Sequence, residues 1–190
     1  MKLFIIFAFI LILSGCNSKP EEKPSKPSEI IKKPVLELTG ADYFFAPQFD
    51  AEKCEGIAEC DCCSWNVLFI NDKNFITICP CESDESVFTG TYKILKDKVI
   101  LDYDLREVDR NYNWEAETDT TGTVKPEYDI VVTSRQATTE VLNAKYCGGK
   151  LYFTTSVGNE VSYGVTDNRY SLQQHIQILR EEGIWNKLHK

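Results

Sequence analysis

The chain has 190 residues, a formal net charge of −8 and eight cysteines. The acidic balance argues against nucleic acid as a partner, because phosphate binding needs a basic surface. Beyond the N-terminus, no segment is long and apolar enough to predict a transmembrane helix.

The N-terminus has the pattern of a secretory signal. Lys2 precedes an apolar run from residue 3 to residue 13, which is too short to span a bilayer permanently. The run ends in Leu13-Ser14-Gly15-Cys16, which resembles the lipobox of bacterial lipoproteins. In that family the peptide is cut before the cysteine, and the cysteine then carries the lipids. The resemblance implies a lipoprotein signal peptide over residues 1–15 and acylation, including palmitate, at Cys16.

This lipid anchor predicts a membrane-bound location in the cell envelope. Several acyl chains provide durable attachment, since each buried CH₂ contributes about 0.8 kcal/mol. In Gram-negative bacteria, Asn17 after the lipidated cysteine resembles the pattern of proteins sent to the outer membrane. We therefore expect an outer-membrane address if the source is Gram-negative.

Residues 16–34 are predicted to form the lipidated cysteine and a stalk. Four of the seven prolines, five lysines and three glutamates lie between residues 17 and 34. Such a composition favours an extended linker over a packed core. Residues 35–190 hold 15 of the 21 Lys and Arg residues and 26 of the 29 Asp and Glu residues, a net charge of −11. Their length suits one domain.

The stretch Phe88–Leu105 predicts a β-hairpin with a two-residue turn at Lys96-Asp97. On one face this register gives apolar or aromatic cross-strand pairs: Ile94 with Val99, Tyr92 with Leu101, Gly90 with Tyr103, and Phe88 with Leu105. Gly90 leaves room for the Tyr103 ring. Two strands that agree in one register are a strong signal, because a one-residue slip would invert both faces.

A second hairpin is predicted from Trp65–Ile70 and Phe75–Cys81. Its turn is residues 71–74, which places Val67 opposite Ile78 and Phe69 opposite Ile76. Further strands are predicted from alternation and turn residues at Tyr112–Thr118, Ile130–Ser134, Val141–Tyr146, Leu151–Ser156 and Val161–Val165.

The predicted fold is mainly β, an antiparallel meander that forms a small barrel or half-barrel with a C-terminal helix. For the helix, Ser171 and Gln174 make a capping-box pattern. Leu172, Ile176 and Leu179 repeat at helical spacing, and Gly183 is expected to end or interrupt the helix. This apolar stripe predicts packing against the barrel.

Six cysteines lie within 28 residues: Cys54, Cys60, Cys62, Cys63, Cys79 and Cys81. Export exposes them to oxidising conditions, so we expect at least two disulfides among them. The second hairpin folds residues 60–63 over residues 79–81, which predicts at least one disulfide between these clusters. Cys147 is then the expected unpaired thiol. Two alternatives remain open: a thiolate site for copper or zinc, or a redox-active pair at Cys60-x-x-Cys63.

Part of the chain resembles small lipocalin-like envelope lipoproteins of the copper-resistance, envelope-stress type. The likeness rests on Glu59-Cys60-Asp61-Cys62-Cys63, Val67-Leu68-Phe69, the Asp72–Phe75 turn, and Phe88-Thr89-Gly90-Thr91-Tyr92. Members of that family carry a Cys-x-x-Cys just before the first hairpin of a partial barrel, and the motif is linked to copper. The resemblance implies a lipocalin-like barrel with a thiol-rich segment at its first hairpin.

The sequence contains none of the usual catalytic motifs: no nucleophile elbow, no His-Glu-x-x-His and no phosphate loop. We therefore expect no catalytic residues, no enzyme activity and no cofactor. The leading hypothesis is a non-enzymatic envelope module that binds or senses a small molecule in the barrel or a protein partner on its surface. The alternative is copper or zinc handling, or redox work, through Cys60–Cys63 and Cys79–Cys81.

Overall fold

The computed structural model describes residues 36–60, 62–118, 127–167 and 169–188, most of which lie in β-strands. The strands, in chain order, are β1 Asp42–Ala46, β2 Gln48–Asp50, β3 Glu55–Ile57, β4 Trp65–Phe69, β5 Asn74–Cys81, β6 Asp84–Leu95, β7 Lys98–Tyr112, β8 Tyr128–Ser134, β9 Thr139–Cys147, β10 Lys150–Val157 and β11 Glu160–Thr166. The helices are α1 Trp114–Thr118, α2 Leu172–Glu181 and α3 Trp185–Leu188. No helix in these ranges is long and apolar enough to cross a membrane.

Eight antiparallel strands close into a barrel. Their order is β6-β5-β4-β1-β11-β10-β9-β7, and pairing between β6 and β7 completes the ring. Strand β1 joins the two halves of the meander, since Tyr43 pairs with Val67 on β4 and with Thr166 on β11. Strands β2 and β3 form a separate hairpin. The predicted mainly β barrel with a C-terminal helix is confirmed.

Strand β7 is long enough to have two successive neighbours on one edge. Residues 98–102 pair with β9, and residues 106–112 pair with β8. On its other edge, β7 pairs with β6 along almost its whole length. Strands β6, β7 and β8 therefore extend the sheet past the barrel wall.

The barrel interior holds the larger of two apolar cores. Its fully buried side chains come from strands all around the ring and include Phe45, Val67, Phe69, Val99, Leu101, Leu142 and Phe153. Leu36 and Leu38 precede β1 and pack into the same cluster. These interior positions alternate with outward ones along each strand, as barrel geometry requires.

A second core lies between the outer face of the sheet and helices α2 and α3. The strands contribute Leu68, Ile76, Ile78, Val87 and Val108, and the helices contribute Leu179, Ile184 and Leu188. Ser171 caps α2 and forms the predicted capping box with Gln174. Gly183 follows α2 with a φ of 78°, the left-handed conformation that glycine adopts easily. The C-terminal helices therefore cover one side of the barrel.

The β6–β7 hairpin has the predicted register near its turn. Ile94 pairs with Val99, Tyr92 with Leu101, and Gly90 with Tyr103. The predicted pair of Phe88 with Leu105 is wrong, because a bulge between Phe88 and Gly90 places Phe88 opposite Glu107. Leu105 is 60% exposed. The alternation of apolar and polar residues could not reveal this bulge. The bulge shifts the pairing by two residues, and such a shift leaves each side chain on the same face of the sheet.

The β4–β5 hairpin forms as predicted, but its register differs by one residue. Val67 pairs with Thr77, and Phe69 pairs with Phe75. Ile76 and Ile78 therefore face the helices instead of the barrel interior. Both faces of β5 are buried, so its apolar pattern does not specify which residues point inward.

Four of the five further strands are confirmed as β8, β9, β10 and β11. The fifth, Tyr112–Thr118, is wrong: β7 ends at Tyr112 and residues 114–118 form the short helix α1. Asn113 accepts a hydrogen bond from the backbone N–H of Glu115 through Oδ1, which favours a helical turn there. Strands β1, β2 and β3 were not predicted.

Candidate functional site

The two ends of the barrel differ. The end that carries the β4–β5, β6–β7 and β9–β10 turns, here called the closed end, is filled by the apolar core. The end that carries the β5–β6, β8–β9 and β10–β11 connections, here called the open end, holds a pocket of about 640 Å³. The pocket lining includes Trp65, Thr77, Cys79, Phe88, Tyr103, Arg135, Thr139, Glu140 and Ser156.

Aromatic side chains form the walls of this open-end pocket. Trp65 stacks on Phe45 with ring centroids 5.2 Å apart. Tyr103 packs edge-on against Phe75 at 5.0 Å and against Phe88 at 6.3 Å. These contacts fix the ring orientations before any ligand enters.

Gly90 makes this packing possible, although not in the way the sequence suggested. A Cβ at Gly90 would lie 2.6 Å from Cε1 of Phe75 and 2.4 Å from the backbone oxygen of Asp102. The space above Gly90 is therefore occupied by the Phe75 ring. Phe75 in turn supports Tyr103 at the floor of the pocket.

Tyr103 links the aromatic walls to the polar groups. Its hydroxyl donates a hydrogen bond to Oε2 of Glu140 at 2.8 Å, and it accepts one from Oγ1 of Thr77 at 3.4 Å. Burial, together with the charge of Glu140, raises the pKa of Tyr103 far above its usual range. Tyr103 therefore stays a neutral donor that orients the Glu140 carboxylate.

Arg135 lies in the connection between β8 and β9. Its guanidinium carbon is 4.2 Å from the ring centroid of Phe88 and 5.0 Å from that of Tyr103. Its Nη2 donates to Oγ1 of Thr138 at 3.2 Å, and its backbone N–H donates to the oxygen of Leu105 at 2.7 Å. Hydrogen bonds thus fix both the backbone and the side chain of Arg135, and its guanidinium lies against two aromatic rings.

Two polar atoms of the pocket have no hydrogen-bond partner among the described residues. They are Nη1 of Arg135 and Oε1 of Glu140, and both are buried. The two residues form no salt bridge with each other or with another described residue. Buried polar groups are normally paired, so these atoms mark where a ligand can bind.

Cys79 lines the same pocket and is the free cysteine of the described residues. Burial raises the pKa of its thiol to about 12, and the opposing effect of Arg135 is smaller. The thiol is therefore protonated at neutral pH. A protonated, buried thiol is a poor nucleophile and a poor metal ligand.

The other cysteines that the structure describes form three disulfides. Cys62 bonds to Cys81, Cys60 to Cys63, and Cys54 to Cys147, with Cα atoms 4.2, 5.5 and 5.7 Å apart. The expected disulfides, including one between residues 60–63 and 79–81, are confirmed. The expectation that Cys147 is unpaired is wrong, because the ring of strands brings the end of β9 next to the β2–β3 turn.

This pairing removes most of the thiolates that a soft-metal site would need. Within the described ranges, no group of three or more His, Cys, Asp and Glu residues is placed to hold a metal ion. Of the predicted metal candidates, only Cys79 keeps a free thiol. Cys16, the signal peptide and the stalk lie outside the described residues.

A second polar cluster lies outside the barrel, between β1 and α2. The Asp167 carboxylate accepts hydrogen bonds from Nδ2 of Asn66 at 2.7 Å and from Arg169 at 2.9 and 3.0 Å. Oδ2 of Asp42 is 3.8 Å from Nε2 of His175. Burial raises the pKa of Asp42 to about 6 and lowers the pKa of His175. Neither of these two atoms of Asp42 and His175 has a hydrogen-bond partner among the described residues, so α2 is held to the barrel wall by the apolar contacts of the second core.

Sequence reasoning missed Arg135 and Glu140. Both belong to a polar stretch between two predicted strands, where charged residues usually face solvent. One available signal was Glu140, which stands two residues before the apolar Leu142 and therefore on the same face of β9. A carboxylate on an inward face is uncommon and indicates a pocket.

The sequence matches no known protein-family model, and no curated protein matches it significantly. A solved structure does match in fold: a crystal structure of a streptavidin-like protein from Bacteroides eggerthii, with a TM-score of 0.54. The two chains are 10% identical, and the match covers 78% of this chain and 92% of the other. At this identity the likeness shows the fold alone: the barrel of this chain is similar to that of the streptavidin-like protein.

Proposed function

We propose that the protein is a lipid-anchored envelope protein that binds a small molecule in the open-end pocket and has no catalytic role. One observation carries the binding part: a closed eight-stranded barrel is filled at one end and holds an aromatic-walled pocket of about 640 Å³ at the other. Such dimensions suit one small ligand, and an eight-stranded barrel that its own side chains do not fill has room for one.

The anchoring part of the proposal is supported by Leu13-Ser14-Gly15-Cys16 and by the three disulfides. Disulfides persist in oxidising compartments outside the cytoplasm. Metabolic labelling with a palmitate analogue tests this part. Label is expected on the wild-type protein and absent from Cys16→Ala, and equal labelling of both would contradict it.

The binding part is tested with N-phenyl-1-naphthylamine, a neutral probe whose fluorescence rises in apolar pockets. Two threonines provide a matched pair of variants. Thr138 lines the pocket and accepts a hydrogen bond from Nη2 of Arg135 at 3.2 Å, whereas Thr133 lies on β8 away from the pocket and donates to Asp109 at 3.2 Å. Both are exposed, so a tryptophan is tolerated at either position.

The fluorescence increase is expected for the wild-type protein and for Thr133→Trp. For Thr138→Trp it should fall by at least tenfold at the same probe concentration, because the indole fills the pocket mouth beside Arg135. Circular dichroism confirms that both variants are folded. Equal fluorescence from both variants, or none from the wild type, would contradict binding in the open-end pocket.

A further inference from the structure

The open-end pocket contains one cation and one anion that do not neutralise each other. Arg135 stands in the β8–β9 connection, and Glu140 is the second residue of β9. Each uses one terminal atom in a hydrogen bond to the protein: Nη2 of Arg135 to Thr138, and Oε2 of Glu140 from Tyr103. The other terminal atom of each side chain is buried without a partner.

A buried polar atom of a charged group that has no hydrogen-bond partner destabilises the folded protein. The surrounding contacts favour the present orientation of both side chains. Phe88 and Tyr103 hold the guanidinium of Arg135, and the Tyr103 hydroxyl holds the Glu140 carboxylate. A ligand with an anionic group at Nη1 of Arg135 and a cationic group at Oε1 of Glu140 gives both unpaired atoms a partner when it binds.

We infer that the ligand of the open-end pocket is a small zwitterion of the α-amino-acid class with an aromatic or large apolar side chain. Its carboxylate accepts from Nη1 of Arg135, and its ammonium donates to Oε1 of Glu140. Its side chain lies between the walls made by Trp65 and Phe88. This inference rests on the proposed binding function.

Charge explains why a zwitterion fits better than a singly charged ligand. An anion would leave Glu140 unpaired and would also approach a domain of net charge −11 over residues 35–190. A cation would leave Arg135 unpaired beside the aromatic rings. A zwitterion has no net charge, so it pairs both groups and meets no overall repulsion.

Four probes with one phenyl ring each test the inference by titration calorimetry. L-Phenylalanine carries both charges, 3-phenylpropionate only the anion, phenethylamine only the cation, and N-acetylphenylalanine amide neither. L-Phenylalanine is expected to bind at least tenfold more tightly than each of the others. Glu140→Gln should remove its advantage over 3-phenylpropionate, and Arg135→Gln should remove its advantage over phenethylamine. Glu160→Gln, an exposed residue of β11, is the matched control and should bind like the wild type.

The outcomes separate this inference from the proposed function. Four equal affinities, with N-phenyl-1-naphthylamine still bound, would overturn the zwitterion and leave the binding function standing. An unchanged preference for L-phenylalanine in both Glu140→Gln and Arg135→Gln would also overturn it. Absence of binding by all five probes would contradict the binding function itself.

Discussion

The closed and open ends of the barrel are built by the same strands but differ in the side chains that point into them. On β5, Phe75 points into the closed half, whereas Thr77 and Cys79 follow it towards the open end. On β9, Leu142 lies in the closed half, and Glu140 lies towards the open end. The difference shows that one set of strands can enclose an apolar core at one end and polar groups between aromatic walls at the other.

The loss of stability on cutting disulfides provides the largest contrast between the ends. Cys54–Cys147 fastens the closed end and joins residues 93 apart, whereas Cys60–Cys63 lies beside the open end and joins residues 3 apart. Cys54→Ser/Cys147→Ser should lower the free energy of unfolding by about 4–5 kcal/mol, and Cys60→Ser/Cys63→Ser by about 2 kcal/mol, because longer loops lose more entropy when crosslinked. Urea unfolding measures both, and equal losses would show that loop length does not govern them.

Truncating one phenylalanine at each end compares their packing. Phe69 in the closed half is fully buried, and Phe88 at the open end is half-buried. Phe69→Ala should lower the free energy of unfolding by about 3–5 kcal/mol. Phe88→Ala should cost about 1–2 kcal/mol, because less apolar area is lost. Thermal and urea unfolding measure both, and a larger loss for Phe88→Ala would reverse the comparison.

The pH dependence of stability tests the carboxyl group of Glu85, which lies on the outer face of the sheet near the open end. Burial, and then the charge of Glu182, raise the pKa of Glu85 from 4.5 to about 7. The folded state therefore binds this proton more tightly than the unfolded state, so its stabilising effect is lost as pH rises through 7. Glu85→Gln should be about 2 kcal/mol more stable than the wild type at pH 8 and equal to it at pH 4.

Urea unfolding from pH 4 to pH 8 measures that difference. Glu52→Gln, an exposed carboxylate in the β2–β3 turn, is the control and should follow the wild type at every pH. A Glu85→Gln profile parallel to the wild type would rule out the raised pKa as a source of the pH dependence.

Removing one tyrosine hydroxyl at each end gives the smallest contrast. Tyr103 at the open end donates to the Glu140 carboxylate at 2.8 Å, and Tyr92 at the closed end donates to the backbone oxygen of Asn71 at 2.7 Å. Tyr103→Phe should cost about 1–2 kcal/mol and Tyr92→Phe about 0.5–1 kcal/mol, because hydrogen bonds to charged groups are stronger. A larger loss in Tyr92→Phe, measured by urea unfolding, would contradict this order.

The sequence predicts the fold well where local pattern and global structure agree. The β6–β7 register near Lys96-Asp97 and the capping box at Ser171 depend on neighbouring residues, and both are confirmed. The β4–β5 register is wrong because both faces of β5 are buried, one in the barrel and one under the helices. Strands β1 to β3 are short and carry too little alternation to detect.

The site is harder to predict because its residues come from distant parts of the chain. Cys79, Tyr103 and Glu140 meet only after β7 has paired with β6 and β9. The geometry of the β4–β5 hairpin predicted that residues 60–63 and 79–81 converge, since the two clusters flank this one hairpin. It could not place Cys147, whose partner Cys54 is 93 residues away.

The two successive neighbours of β7 have a consequence for how this barrel can evolve. Strands β8 and β9 are each held in register by β7, and the segment between them adds two backbone hydrogen bonds to β7, one at Arg135 and one at Thr138. That segment, residues 135–138, supplies Arg135 to the pocket. Exchanges of side chains there leave these backbone hydrogen bonds and both registers intact. The charged side chain at the pocket is therefore free to diverge between descendants while the barrel is inherited unchanged.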